Sequence, residues 1–332
     1  MTPYPYPWQE KQWRKLSARL SEGRLGHALM LVGVPGLGKL EFARAFASAV
    51  LCSSELQKPC GNCEACTLFT AGNHPDFFEV GLPEDKKVIA VDQIRQLSSA
   101  LGMTSQLGAW KVALLHPADA MNANAANSLL KTLEEPPGQS LLLLVTARPA
   151  GLPGTVRSRC QGVVFDAPER TAGQAWLAGQ NDRDWDFLIE FAAGAPLTAR
   201  ELAASGFGEQ RADMISGLKV LLVGRHDPIK LASEWRDMGV RHVLEWLASW
   251  VGDLIRVKQL GGSATRVINA DAMTDLQTAA EGIHLTSLHY YLDAVRRSIR
   301  LLDTSANEQL LLESLLIPWA EKFAEDTLEY LP

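Results

Sequence analysis

The sequence predicts a parallel α/β domain in its first half and an all-helical second half, on three observations. Short apolar runs alternate with helical stretches as far as residue 167. One of these runs feeds a glycine-rich turn that opens directly into a helix. From Pro168 onward the strand-like runs stop and the apolar spacing becomes purely helical. Alternation of the first kind means parallel strands joined by helical crossovers, with helices on both faces of the sheet.

The first strand is Ala28-Leu29-Met30-Leu31-Val32, a buried apolar run, and Leu40 to Leu51 reads as the helix after it. Between them Gly33-Val34-Pro35-Gly36-Leu37-Gly38-Lys39-Leu40 has Walker A spacing. A strand feeding such a turn puts backbone N–H groups and the positive end of a helix where phosphate oxygens would sit. The candidate phosphate-binding residues are therefore Gly33, Gly36, Gly38 and Lys39. Leu40 stands where the motif needs a Ser or Thr hydroxyl for magnesium, so the cradle is kept and the metal ligand is lost. The plainer reading is a glycine-rich turn without a ligand.

Downstream, strands are expected at Phe77 to Val80, Val112 to Leu115, Leu141 to Val145 and Val163 to Phe165, with helices at Val91 to Leu101 and Ala120 to Glu135. Pro136-Pro137-Gly138 stops the last of these helices, because proline lacks the N–H and disfavours helical geometry in the residue before it. Residues 170 to 205 give short helices broken at Gly194-Ala195-Pro196, and Gly206-Phe207-Gly208 marks a further boundary. Beyond it Val243, Leu247, Trp250 and Leu254 form one apolar stripe, and Leu285, Leu288, Leu292, Val295, Ile299 and Leu302 another. Such stripes are mostly core, and part of that surface can also meet neighbouring subunits.

Four of the five cysteines, Cys52, Cys60, Cys63 and Cys66, follow the pattern C-x7-C-x2-C-x2-C, which matches a four-thiolate zinc site. Gly61 and Asn62 let the chain fold back so that the sulfurs converge. A closed site of this kind has no open coordination position, so its role is structural. The competing readings are a redox C-x-x-C pair and buried free thiols. Cys160 stands apart and reads as a small buried residue.

At 332 residues the chain is too long for one core and implies two or three domains. Its net charge of −6 argues against a uniformly basic nucleic-acid surface, so any DNA contact has to come from local sites. No apolar run is long enough for a membrane helix, and Met1 to Trp8 lacks the features of a signal peptide, so a cytoplasmic protein without a membrane partner is expected.

Several strings now converge: Gly26-His27-Ala28-Leu29, the cysteine cluster, His74-Pro75-Asp76-Phe77, Asn127-Ser128-Leu129-Leu130-Lys131-Thr132-Leu133-Glu134-Glu135-Pro136-Pro137, Ser158-Arg159-Cys160 and Asn307-Glu308-Gln309-Leu310-Leu311-Leu312-Glu313. Together they closely resemble bacterial sliding-clamp loaders, the AAA+ subunits of the DNA polymerase III holoenzyme, nearly from end to end. The resemblance implies an AAA+ P-loop domain with a zinc module over 1–167, a small helical lid over 168–208 and an all-α collar for oligomerisation over 209–332. It implies gamma/tau and delta subunits as partners in a heteropentamer, with the sliding clamp and primed DNA met inside the complex.

Within that family some subunits hydrolyse ATP and one kind does not. In an active member Asp-Glu follows the strand that matches Lys111 to Leu115, the first supporting magnesium and the second polarising water. Here the matching residues are His116-Pro117. Neutral imidazole is a poor magnesium ligand, and proline has no proton acceptor. A shift of register brings in Asp119, but past the strand end and with Ala120 after it. Leu40, His116 and Pro117 thus agree on a subunit that does not turn over ATP and whose nucleotide binding is in doubt. Arg159, by the same resemblance, is an arginine finger that reaches a neighbour's ATP; read without it, Arg159 is a surface arginine beside Arg157. Arg95 matches a helix on which family members place basic residues toward DNA, and a solvated helix charge reads equally well. The rival readings are an active gamma-like ATPase and a zinc-dependent DNA-binding module.

Overall fold

The computed structural model describes residues 5–55, 58–83, 86–178, 185–261, 267–321 and 323. The chain divides into two compact units, Met1–Glu169 and Arg170–Pro332.

The first unit is built on a five-stranded sheet in the order β2-β3-β4-β1-β5. Its strands are β1 Ala28–Val32, β2 Phe77–Gly81, β3 Lys111–His116, β4 Ser140–Thr146 and β5 Gln161–Val164. Every pairing is parallel, Ala28 standing opposite Leu142 and Val112 opposite Leu141. The inner strands are apolar on both faces because helices cover both sides: Leu29, Leu31, Val112 to Leu115 and Leu141 to Leu144 are all fully buried. The helices are α1 Glu10–Ser21, α2 Lys39–Leu51, α3 Glu64–Thr70, α4 Val91–Gly102, α5 Ala123–Glu134 and the single turn α6 Gly154–Arg157.

Two expected elements shift, each for a local reason. The helix expected from Ala120 begins at Ala123, because the Asn122 side chain caps it by accepting from the Ala125 N–H at 2.8 Å. Residues Ala118–Ala120 form a separate 3-10 turn. The last strand covers Gln161–Val164 instead of Val163 to Phe165. Gln161 and Gly162 pair with Leu29 and Met30 and carry no apolar signal, while Phe165, just past the strand, donates its N–H to the Val32 carbonyl at 2.7 Å and packs edge-on against Phe42, 4.9 Å between ring centres.

The second unit is helical throughout its described residues: α7 Arg170–Ala178, α8 Trp185–Phe191, α9 Pro196–Ala204, α10 Phe207–Leu222, α11 Pro228–Asp237, α12 Val240–Leu260, α13 Met273–Glu281, α14 Leu285–Leu301 and α15 Glu308–Ala320. Val243, Leu247, Trp250 and Leu254 on α12 are buried, as are Leu288, Leu292 and Val295 on α14. Trp235, Trp246, Tyr291 and Trp319 complete this core. The Trp319 indole donates to the Tyr291 hydroxyl at 2.8 Å, and that hydroxyl donates to the Leu315 carbonyl at 2.7 Å, so the buried polar atoms of the pair are satisfied. Arg211 of α10 lies 3.8 Å from the Phe187 ring centre and bonds Asp271 through two nitrogens at 2.7 and 2.8 Å, which ties α8 to α10 and to the turn before α13.

Candidate functional sites: phosphate loop, cysteine cluster and Arg159

The glycine-rich loop lies between β1 and α2, as a Walker-type loop must. Gly38 caps α2 at φ 74°, and a Cβ there would fall 2.5 Å from the Tyr6 ring, so no side chain fits. A Cβ on Gly33 would lie 2.5 Å from the Phe165 carbonyl oxygen, which holds the loop tight against the end of β5. The Lys39 ammonium turns back on the loop and donates to the Val34 carbonyl at 2.7 Å. Lys39 is 7% exposed, and burial pulls its pKa down to about 8, against the opposing pull of the Asp119 and Glu41 carboxylates.

The segment before α1, which the sequence does not mark as part of the site, closes over this loop. Gln9 is fully buried, and its amide donates to the Leu37 and Gly38 carbonyls, both at 2.8 Å. The Trp8 indole donates to the Leu37 carbonyl at 3.0 Å, and the Tyr6 and Trp8 rings stack 5.0 Å apart. Two features fit a magnesium nucleotide poorly: the lysine is bonded inside the loop, and position 40 offers no oxygen.

β3 ends at His116, and Pro117 follows it. His116 bonds Glu79 of β2 at 2.7 Å, and Arg44 of α2 bonds the same carboxylate at 2.5 Å. Burial on its own would raise the Glu79 pKa, but the His116 hydrogen bond and the Arg44 charge outweigh it and hold the group down at about 2. Asp119, set aside on sequence as lying past the strand, is brought close enough to the loop to act on the Lys39 charge. Both of its oxygens are taken: Oδ1 accepts from the Thr146 hydroxyl at 2.6 Å and Oδ2 from Arg148 at 3.0 Å. It is a structural carboxylate at the end of β3 and β4, found only by the pairing of residues far apart in sequence.

The four cysteine sulfurs lie within 4.8 Å of one another and could hold a metal ion. Cys52 follows α2 directly, and Cys63 caps α3. The Cys52–Cys63 and Cys60–Cys66 separations are 3.9 and 4.0 Å, close to the edge of about 3.8 Å that a tetrahedron of four Zn–S bonds requires. Backbone N–H groups of Ser54, Cys63 and Cys66 point at Cys52, Cys60 and Cys63 from 3.4 to 3.5 Å, as second-layer donors to thiolates do. Cys160 is partly buried against the sheet core, and burial pushes its thiol up to about 11, which disfavours the thiolate.

Arg159 follows α6 on the surface of the first unit. Its Nη1 donates to the Thr155 carbonyl at 3.1 Å and its Nη2 meets Glu134 at 2.6 Å. Arg95 is exposed on α4 and pairs with Asp92 of the same helix at 3.2 Å, in a contact worth little in water. No helix among the described residues is long and apolar enough to cross a membrane.

A parallel α/β sheet with a Walker-type loop after β1, a four-cysteine cluster after α2 and a helical second unit defines a P-loop α/β protein. Residues 8–169 match the family described as "DNA polymerase III, delta subunit", and residues 205–321 match "DNA polymerase III, delta subunit, C terminal". The protein named DNA polymerase III subunit delta' from Pseudomonas aeruginosa is 36% identical, the alignment covering 95% of this chain and 97% of that protein. Its namesake from Escherichia coli is 28% identical, with 94% of each chain covered. The tau subunit of Bacillus subtilis is 32% identical over 52% of this chain and 30% of its own length. The chain belongs to the DNA polymerase III delta-subunit family that these two models describe.

Proposed function

We propose that this chain is a delta prime subunit of the bacterial clamp loader. In this reading it is a non-hydrolysing stator that joins gamma/tau and delta subunits in the cytoplasm and helps them open the sliding clamp and place it on primed DNA. The likeness to delta' proteins over nearly the whole of both chains supports this, whereas the tau relative shares about half of this one.

The observation that carries the division of labour is the state of the phosphate loop. Position 40 is leucine, Lys39 is bonded to Val34, and His116-Pro117 stands where a hydrolysing member carries two carboxylates. Losing a water-positioning group costs about 10²- to 10⁴-fold, and losing magnesium support removes charge stabilisation as well. Arg159 keeps a role because an arginine finger in trans is worth about 10³- to 10⁵-fold at the neighbour's site. Its planar fork stays charged at any working pH and can donate two bonds to phosphate oxygens.

In the same reading Cys52, Cys60, Cys63 and Cys66 hold one structural zinc, which when bound locks the segment after α2. α7 to α9 serve as the lid, and the helices from α10 onward serve as the collar. The test is reconstitution: mixed with purified gamma/tau and delta subunits, this chain completes a stable complex that loads clamps, and by itself it hydrolyses no ATP above background. Failure to enter the complex, or magnesium-dependent turnover by the isolated chain that Lys39→Ala abolishes, overturns it.

A further inference from the structure

Resting on the trans role proposed for Arg159, we infer that Glu134 is the positioning residue that sets the finger before a neighbour's phosphate arrives. Glu134 is the last residue of α5, where the helix dipole favours a cation and disfavours a carboxylate. A second carboxylate, Glu135, follows it at once. This local charge arrangement is unfavourable for α5 by itself and favourable for a guanidinium placed beside it, and Arg159 lies there, with Nη2 2.6 Å from Glu134 Oε1.

The backbone that carries Arg159 is fixed on both sides. Val156 is fully buried, Cys160 packs on the sheet core, and the Arg159 N–H bonds the Val156 carbonyl at 3.1 Å. The side chain is then held at two points, the Thr155 carbonyl on Nη1 and Glu134 on Nη2. A guanidinium has five N–H donors in one plane, so two anchors define that plane and leave donors for phosphate oxygens. An arginine otherwise loses side-chain rotamer freedom when it is ordered. Part of that loss is met before the subunits engage, which is the benefit of a preorganised group.

The pair is half exposed in the isolated chain, the side chains keeping 37% and 50% of their accessible surface. Its contribution there is that of a surface ion pair, about 0.2–1 kcal/mol. Converted to rate, removing it lowers hydrolysis at the neighbouring site by about 1.4- to 5-fold, in kcat and not in KM, because it acts on the finger and not on nucleotide binding.

The experiment is a double-mutant cycle in the reconstituted complex, measuring ATP hydrolysis and clamp-loading rate at saturating ATP for the wild type, Glu134→Ala, Glu134→Gln, Arg159→Ala and the Glu134→Ala/Arg159→Ala pair. Assembly is checked by gel filtration for each. The expected result is a modest kcat loss in Glu134→Ala, a smaller one in Glu134→Gln, which keeps an acceptor oxygen, and no further loss from Glu134→Ala once Arg159 is alanine. If Arg159→Ala itself leaves both rates at the wild-type level, the trans reading is what fails. If Arg159→Ala slows the complex while Glu134→Ala does not, or if Glu134→Ala costs as much without Arg159 as with it, the positioning role is wrong. Loss of assembly in both Glu134 variants also overturns it, since Glu134 would then act on structure.

Discussion

The Lys39 ammonium donates to the carbonyl of Val34, 2.7 Å away and five residues back in the same loop. The loop itself supplies the acceptor for this buried ammonium. With Leu40 beside it and Gln9 bonded to Leu37 and Gly38, the loop acts as a packed joint between β1, α2 and the segment before α1.

A substitution at Lys39 should therefore be silent in function. Lys39→Met, which keeps the stem and removes the charge, is expected to leave clamp-loading by the reconstituted complex within about twofold of wild type and stability within about 1 kcal/mol. A loss of loading comparable to that from a dead ATPase subunit would show the loop to be in use.

The same joint predicts where the domain is fragile. Gly38→Ala places a Cβ against the Tyr6 ring at a left-handed φ, and Gln9→Ala removes a buried amide that donates to the Leu37 and Gly38 carbonyls and accepts from the Tyr6 N–H. Each should cost about 1–3 kcal/mol in urea unfolding of the chain, by strain in the first case and by lost buried hydrogen bonds in the second. Wild-type stability in both variants would mean that the segment before α1 does not seat on the loop in solution.

Glu79 gives a pH signature with a definite sign. Its carboxyl titrates at about 2 in the folded chain against an ordinary 4.5, so its contribution to stability is complete above pH 4.5 and is lost as pH falls toward 2. The stability difference between wild type and Glu79→Gln should be largest near neutrality and shrink through this window. A difference of equal size at pH 7 and pH 3 would remove the Arg44–Glu79–His116 cluster as its source.

Metal analysis of chain purified without chelator is expected to find about one zinc per chain on four sulfurs. Chelation or Cys63→Ser should increase protease cutting between residues 52 and 66 while leaving the helical unit intact, because the site closes a local loop. Five fast-reacting thiols and no metal would exclude the site.

The residues legible in the sequence were those whose partners are near in the chain. The phosphate loop and the cysteine cluster each lie within one short stretch, so spacing alone brings their groups together. The inner strands were legible because burial on both faces leaves an unbroken apolar run, whereas β5 at the sheet edge has Gln161 and Gly162 in the ladder and gave no such signal. What stayed hidden depends on side chains meeting across the fold. Gln9 reaches Leu37, Asp119 reaches Thr146 and Arg148, and Arg159 reaches Glu134, and no periodicity records such pairs. Asp119 shows the cost most directly: its place past the strand argued against a role near the loop, and the 3-10 turn Ala118–Ala120 is what returns it there.

The central claim is that this chain does its chemistry on a neighbour's nucleotide, and Arg159→Ala tests it most directly. Pre-steady-state hydrolysis should be followed in the complete complex with clamp and primed DNA present, after gel filtration has shown normal assembly. The burst is expected to lose the amplitude of one ATP site, with that site slowed by at least about 10³-fold and clamp loading slowed with it. A full burst at the wild-type rate, with wild-type loading, would contradict the claim and return Arg159 to the ordinary arginines of the surface.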